Sequence, residues 1–225
     1  MQRIFDILLS LLALTVLSPL FLVITILLKF TGEGEVLYSQ PRVGKNGIIF
    51  KVHKFATMLK NSETMTNGTV TVKNDPRILP IGKLLRKTKI NELPQLFNIL
   101  KGKMSIIGPR PQTINYFDKI RHDKKETILS IRPGLSGIGS IIFRNEEDIL
   151  NWENGEVFHN TVLTPYKVEL EEWYIENNSI FNYFCMIFVT IIIVIFPGSN
   201  FYWRTFKNLP KPPKELENIP GFKIE

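Results

Sequence analysis

The chain has a single cysteine, Cys185, which excludes an internal disulfide and any cysteine-built metal cluster and suits a reducing, cytoplasm-facing setting. Its three histidines, His53, His122 and His159, are too scattered along the sequence to suggest a ligand set. There is no GxxxxGK[ST], no GxGxxG after a strand, no HExxH and no GxSxG. The P-loop, the dinucleotide-binding turn, the zinc-protease helix and the hydrolase elbow are therefore set aside. No internal repeat or low-complexity tract is present. Acidic residues are in deficit, 21 against 28 Lys and Arg, for a net charge of +7. That surplus points to anionic partners such as phosphates, nucleotides and lipid headgroups. Nucleic acid is not expected, because the aromatics lie in apolar blocks instead of alternating with cations on a stacking face.

What the chain has is 44% apolar content, unevenly spread over 225 residues, enough for one domain with appendages or two small domains. Ile4 to Leu28, IFDILLSLLALTVLSPLFLVITILL, carries one charge, Asp6, and exceeds the roughly 20 apolar residues that cross a bilayer. It is too long for a signal-peptide core, and no small-x-small cleavage site follows. Two features argue against a simple span. Proline at Ser18-Pro19 removes a backbone hydrogen bond, at a cost of about 3 kcal/mol in an ordinary helix. Both flanks are basic, Arg3 before and Lys29 after, whereas positive residues prefer the cytoplasmic side. A helix broken at Ser18-Pro19 that enters and leaves on one face satisfies both flanks, with the serine hydroxyl capping a freed carbonyl. A single kinked anchor is the other solution. The second block, Ile180 to Phe196, is at the short limit for spanning. Phe201, Tyr202, Trp203, Arg204 and Lys207 follow it as an interface belt, so membrane contact is expected.

Between the blocks, Thr31-Gly-Glu-Gly reads as a hinge and Glu35 to His53 as a hairpin turning around Gly44-Lys45-Asn46-Gly47. Residues 60–74 read as a loop. Asn74-Asp75-Pro76 predicts a helix cap opening RILPIGKLLRKT. In KTKINELPQLFNIL, residues 87–100, Leu93, Leu96, Phe97 and Leu100 form a helical stripe that starts near Glu92 and stops at Gly102. Residues 113–129, an acidic stretch from Asn145 to Trp152, and the segment opened by Thr164-Pro165 also read as helices. Three rigid turns each carry an arginine: Asp75-Pro-Arg77, Gly108-Pro-Arg110 and Arg132-Pro-Gly134. Each alone is more often structural. Three in one basic, membrane-attached domain shift the reading toward a bound phosphate, which suits the arginine fork.

SPLF at 18–21, KFATM at 54–58, LRKTKINELPQLFNILKGKMSIIGPRP at 85–111 and RPGLSG at 132–137 together resemble the bacterial sugar transferases. More narrowly, they are similar to the monotopic polyprenyl-phosphate phosphoglycosyl transferases, and the likeness covers most of residues 1 to about 185. The resemblance implies an α/β, mostly helical, cytoplasm-facing domain over residues 31–178. A re-entrant membrane helix broken at Ser18-Pro19 (1–30) would precede it, and an apolar membrane-contacting helix with a polar tail (179–225) would follow. It also implies a place on the cytoplasmic face of the inner membrane. There, with Mg²⁺, the chain would move a phosphosugar from a UDP-sugar to polyprenyl phosphate (undecaprenyl phosphate in a bacterium) and release UMP.

The family's catalytic pair is an adjacent Asp-Glu, in which the aspartate takes the phosphosugar covalently. Here Asn91 stands at the nucleophile position, and Glu92 matches the second carboxylate, expected to hold Mg²⁺. Arg86 and Arg110 match cations expected on the diphosphate or lipid phosphate, Lys54 matches the lysine of KF-x-[ST]M, and Arg132 joins them as a phosphate candidate. Ala56 stands where the family usually has arginine. Three readings of Asn91 stay open. It is an N-cap; it marks an active branch in which Glu92 is nucleophile or base for direct attack by the lipid phosphate; or it marks a silent membrane partner in glycan assembly. Self-association is left open.

Overall fold

The first apolar block forms one helix, α1 (Gln2–Phe30), long and apolar enough to cross a membrane. In this computed structural model, which describes residues 1–65, 71–72, 74–146, 155–217 and 222, α1 continues through Ser18-Pro19. The helix is not interrupted at the proline, and local chemistry explains how it accommodates it. Pro19 has no N–H to give the Thr15 carbonyl, and the Ser18 hydroxyl donates to that carbonyl instead at 2.9 Å. The helix is packed on both sides of the proline. Ala13 and Leu14 rest against a cluster of Phe50, Val52, Leu96 and Ile99, while Leu20 and Phe21 rest against Phe55 and Leu85.

The expected hairpin is formed by antiparallel β1 (Leu37–Val43) and β2 (Ile49–Phe55), with Asn46 and Gly47 in the left-handed region at its turn. The next helix, α2 (Pro80–Lys87), begins later than the Asn74-Asp75-Pro76 signal suggests. The Asp75 carboxylate is not free to cap a helix. It accepts the Arg77 backbone N–H at 3.0 Å and guanidinium N–H groups at 2.9 and 2.6 Å, while Ile78 bridges to Met58. Proline at the first position of α2 then provides the start. Lys89, in the left-handed region, leads into a 3₁₀ turn (Ile90–Glu92) and then α3 (Gln95–Leu100), which stops at Gly102 with φ +75°. Asn91 thus lies inside the turn and caps neither element; the residues at those cap positions are Lys89 and Pro94.

Strands β3 (Ser105–Ile107) and β4 (Gly134–Ser136) pair in parallel. Between them lie α4 (Ile114–Asp118), capped by the Thr113 hydroxyl, and α5 (His122–Leu129), so the helical stretch expected over 113–129 is divided in two. After β4 come α6 (Ile138–Ile142), α7 (Gly155–Phe158), a π-type turn (His159–Leu163), α8 (Thr164–Glu176), α9 (Ile180–Ile195), α10 (Phe201–Thr205) and α11 (Lys214–Glu217). Most of the acidic helix expected from Asn145 to Trp152 falls outside the described residues. The main core joins Ile107, Ile138 and Ile141 to Leu170 and Tyr174 of α8 and to Tyr183, Met186, Val189 and Ile193 of α9. The opposite face of α9 stays open, with Phe181, Phe188, Ile191 and Ile195 more than half exposed.

Both ends of α1 seat on this one body. The Arg3 guanidinium donates to the Ile99 and Leu100 carbonyls at the end of α3, at 2.6 and 2.9 Å. Asp6, 2% exposed, accepts from Ser105 Oγ, Ile106 N and Tyr183 OH at 2.9–3.0 Å. Near the far end, Ile24 and Leu28 are buried with Phe55 and Leu85. The outward face, from Leu8, Leu12 and Val16 to Leu22 and Phe30, is bare hydrocarbon.

Candidate active site

The turn after α2 places Glu92 against β2 and against the Gly108–Pro111 turn. Asn98 fixes the first of these relations: its amide donates to the Lys51 carbonyl at 2.7 Å, and its oxygen accepts from His53 N at 3.1 Å. Backbone crossing fixes the second. Gly108 N donates to Ser136 O, and Gly134 N donates to Pro109 O. A Cβ on Gly134 would lie 2.2 Å from Gly108 N, so the GPRP and RPG segments approach this closely because glycine is there.

Glu92, 9% exposed, is enclosed by cations. Lys54 Nζ lies 3.2 Å from Oε1, and Arg110 reaches Oε1 at 2.8 Å and Oε2 at 3.4 Å. Burial alone would raise the Glu92 carboxyl, but Arg110 and Lys54 hold it well below the usual carboxylate range. Burial brings the Lys54 ammonium down to about 7, with Arg110 and Arg42 adding to the fall and Glu92 opposing it. Arg42, on β1, donates to the Pro111 carbonyl at 3.1 Å and to the Gln40 side chain, and burial beside Arg110 lowers its guanidinium to about 10. Lys54 and Arg110 therefore share one carboxylate with Arg42 close by, a cationic surrounding that suits an incoming phosphate. Beside Glu92, Asn91 Oδ1 is buried without a hydrogen-bond partner among the described residues.

Of the residues singled out by sequence, Glu92, Asn91, Lys54 and Arg110 come together. Arg86 Nη1 approaches Met58 Sδ at 3.8 Å from α2. Arg132 donates to the Gly102 carbonyl at 2.9 Å and lines a cleft of about 120 Å³ with Gln2, Arg3 and Asp6. Arg77 is consumed by Asp75. Arg42 was not singled out, although a signal for it existed. Strand alternation puts Tyr38, Gln40 and Arg42 on one face, and Tyr38 is the cross-strand partner of Lys54.

The donor set bears on Mg²⁺. Among the described residues no group of three His, Cys, Asp or Glu side chains could hold a metal ion. Mg²⁺, however, commonly takes one or two protein oxygens and completes its shell with water and substrate phosphate. Glu92 Oε2, with its single long contact, and the orphaned Asn91 Oδ1 fit that role.

An apolar anchoring helix and a buried carboxylate ringed by cations define a membrane-associated protein with a site for phosphate chemistry. The family model described as bacterial sugar transferase matches residues 1–197, and the chain belongs to that family. It is similar to an exopolysaccharide production protein, ExoY, of Rhizobium meliloti (34% identical over 204 residues, 84% of this chain and 83% of the relative). It is also similar to the undecaprenyl-phosphate galactose phosphotransferase of Salmonella typhimurium (33% over 210 residues, 87% of this chain and 40% of the relative). A third relative is the UDP-glucose:undecaprenyl-phosphate glucose-1-phosphate transferase of Klebsiella pneumoniae (38% over 154 residues, 66% of this chain and 32% of the relative). The chain spans about two-fifths of the Salmonella protein and a third of the Klebsiella one, but most of ExoY.

Proposed function

We propose that the chain transfers a phosphosugar from a UDP-sugar to undecaprenyl phosphate at the cytoplasmic face of the membrane, releasing UMP, and that it does so directly, without a covalent enzyme intermediate. The observation that carries the second half is the state of Glu92. Both its oxygens face cations, and its carboxyl is held strongly acidic, which makes it a weak nucleophile and a weak base. The neighbouring Asn91 offers a carboxamide, which is no nucleophile. The lipid phosphate needs neither. A phosphate monoester with a second pKa of about 6 is largely dianionic near neutral pH.

In this reading a lipid phosphate oxygen attacks the phosphorus bearing the sugar, the bond from that phosphorus to the bridging oxygen breaks, and UMP leaves with the electron pair. Lys54, Arg110 and Arg42 provide positioning and charge neutralisation, which is most of what phosphoryl transfer asks of a protein. Glu92 holds Lys54 and Arg110 in register. Glu92 Oε2 and Asn91 Oδ1 are the oxygens that would hold Mg²⁺, which when bound would neutralise charge on the diphosphate.

The placement of α1 supports a protein confined to one side of the bilayer. Its two ends pack on the same folded body, whereas a crossing helix would put them on opposite sides. Its bare outer face, with that of α9, is then what lipid covers.

The test measures UMP release and protein-bound phosphosugar, with Mg²⁺ and a panel of UDP-sugars, in the native chain, Asn91→Asp and Glu92→Gln. The native chain should turn over and retain no label when the lipid acceptor is withheld. Asn91→Asp should retain it, and Glu92→Gln should lose about 100-fold in turnover. Label held by the native chain would overturn direct transfer. Turnover confined to Asn91→Asp would mean a silent partner in glycan assembly.

A further inference from the structure

The placement of Arg110 rests on a residue outside the site. Glu171, on α8 and 5% exposed, accepts the Arg110 backbone N–H through Oε1 at 3.5 Å, and the Gly139 N–H also reaches its carboxyl. Its Oε2 is buried with no hydrogen-bond partner among the described residues. Missing side chains make room for it: a Cβ on Gly139 would stand 2.6 Å from Oε1, and one on Gly137 3.6 Å from Oε2. The carboxyl thus fills the junction of α8, the first turn of α6 and the Gly108–Pro111 turn.

An orphaned oxygen on a buried carboxylate costs far more than one on a neutral acid. Burial accordingly pushes the Glu171 carboxyl up to about 8, against the pull of Arg110 and Lys167. The other charged or titratable groups around it do not provide a counterion. Lys167 is engaged by Glu146 at 2.6 Å, Glu146 also pairs with His159, and Tyr116 and Tyr174 each feel the Glu171 charge.

We propose that Glu171 is a positioning residue for the transfer reaction, whose carboxyl fixes the Arg110 backbone from behind and so aims the guanidinium at Glu92 and the substrate diphosphate. The proposal rests on the transferase reading above. Ionised, Glu171 becomes a second carboxylate competing with Glu92 for Arg110. The site should then lose rate on the alkaline side through Glu171 as well as through the Lys54 ammonium.

The experiment compares the full chain in detergent with Glu171→Gln and Glu171→Ala. It reads turnover across pH, binding of inorganic pyrophosphate, and helical content by circular dichroism as a folding control. Glutamine reproduces the neutral acid, so it should keep most of the turnover near neutrality and lose the Glu171 part of the alkaline fall, leaving the part due to Lys54. Alanine should lose about 100-fold, as expected when a catalytic group shifts by about an ångström, and should bind pyrophosphate more weakly. Glutamine as damaging as alanine, or an alkaline fall unchanged in Glu171→Gln, would overturn the proposal. Should the native chain turn over no UDP-sugar, the transferase reading fails, and pyrophosphate still decides the positioning. Binding kept in Glu171→Gln and weakened in Glu171→Ala supports it, and equal binding in all three refutes it.

Discussion

Glu92 and Glu171 are two buried carboxyls driven in opposite directions, and folding registers both. An unfolded glutamate ionises near about 4.3. Folded Glu171 does so near about 8, so between these values the native state keeps a proton that the unfolded chain has released. Stability therefore falls as pH rises through that window. Glu92 has the reverse sign: held below the ordinary range, it contributes stability above about 4.3 that is lost as pH falls. Denaturant midpoints followed from about pH 5 to about pH 6.5, below the range in which Lys54 adds a slope of opposite sign, should flatten in Glu171→Gln. Residues of this kind divide what sequence reveals from what it hides. Asn91, Glu92, Lys54 and Arg110 stand in recognisable strings, and the structure gathers them. Glu171 sits in KVELEE among Glu169 and Glu172, and the string alone does not say which of the three turns inward. That depends on two glycines more than 30 residues away. Arg42 was legible in principle, since period-two alternation places it on the Tyr38 face, but only once the hairpin register tied that face to Lys54.

The elements most faithful to the sequence are those set by local chemistry: the Asn-Gly hairpin and the Gly102 stop. The departures come where a second local contact overrides the signal. Asp75 gives its carboxylate to Arg77, so α2 waits for Pro80. Ser18 mends the hydrogen bond lost to Pro19, so α1 continues. Ser18→Ala leaves the Thr15 carbonyl without that donor and should cost about 1 kcal/mol, read as a lower unfolding temperature in detergent. The parallel pair of β3 and β4 admits no such small change. Gly134→Ala would press a Cβ to 2.2 Å from Gly108 N and 2.3 Å from Ser136 O. Because backbone, not a flexible side chain, must move, the expected loss is upwards of about 3 kcal/mol, with the Arg110 turn displaced and turnover gone. Equal stability of native chain and variant in chemical denaturation would refute this account of the crossing.

For the whole molecule the decisive relation is between α1 and everything else. Anchoring helix and reaction site are one packed unit, because the cluster that buries Ile24 and Leu28 includes Phe55 and Leu85, next to Lys54 and Arg86. A one-sided arrangement predicts that both ends of α1 are reached from the cytoplasm. In a Cys185→Ala background, Lys29→Cys should react with an impermeant maleimide in inside-out vesicles and not in intact cells. A protease site fused ahead of Met1 should be cut from that same side. Cleavage from the opposite side would mean a crossing helix.

The Asp6–Tyr183 hydrogen bond joins residues 177 positions apart. Translated into the order of synthesis, α1 leaves the ribosome long before α9 and is completed only with it. Asp6 emerges early as a charged residue in an apolar helix, and its three donors, Ser105, Ile106 and Tyr183, arrive one after another much later. Until α9 is made, the bilayer has to shelter a helix whose one carboxylate lacks its full set of partners. Chains halted before residue 183 should consequently be bound to membrane yet readily degraded, and acquire protease resistance once the last donor is in place.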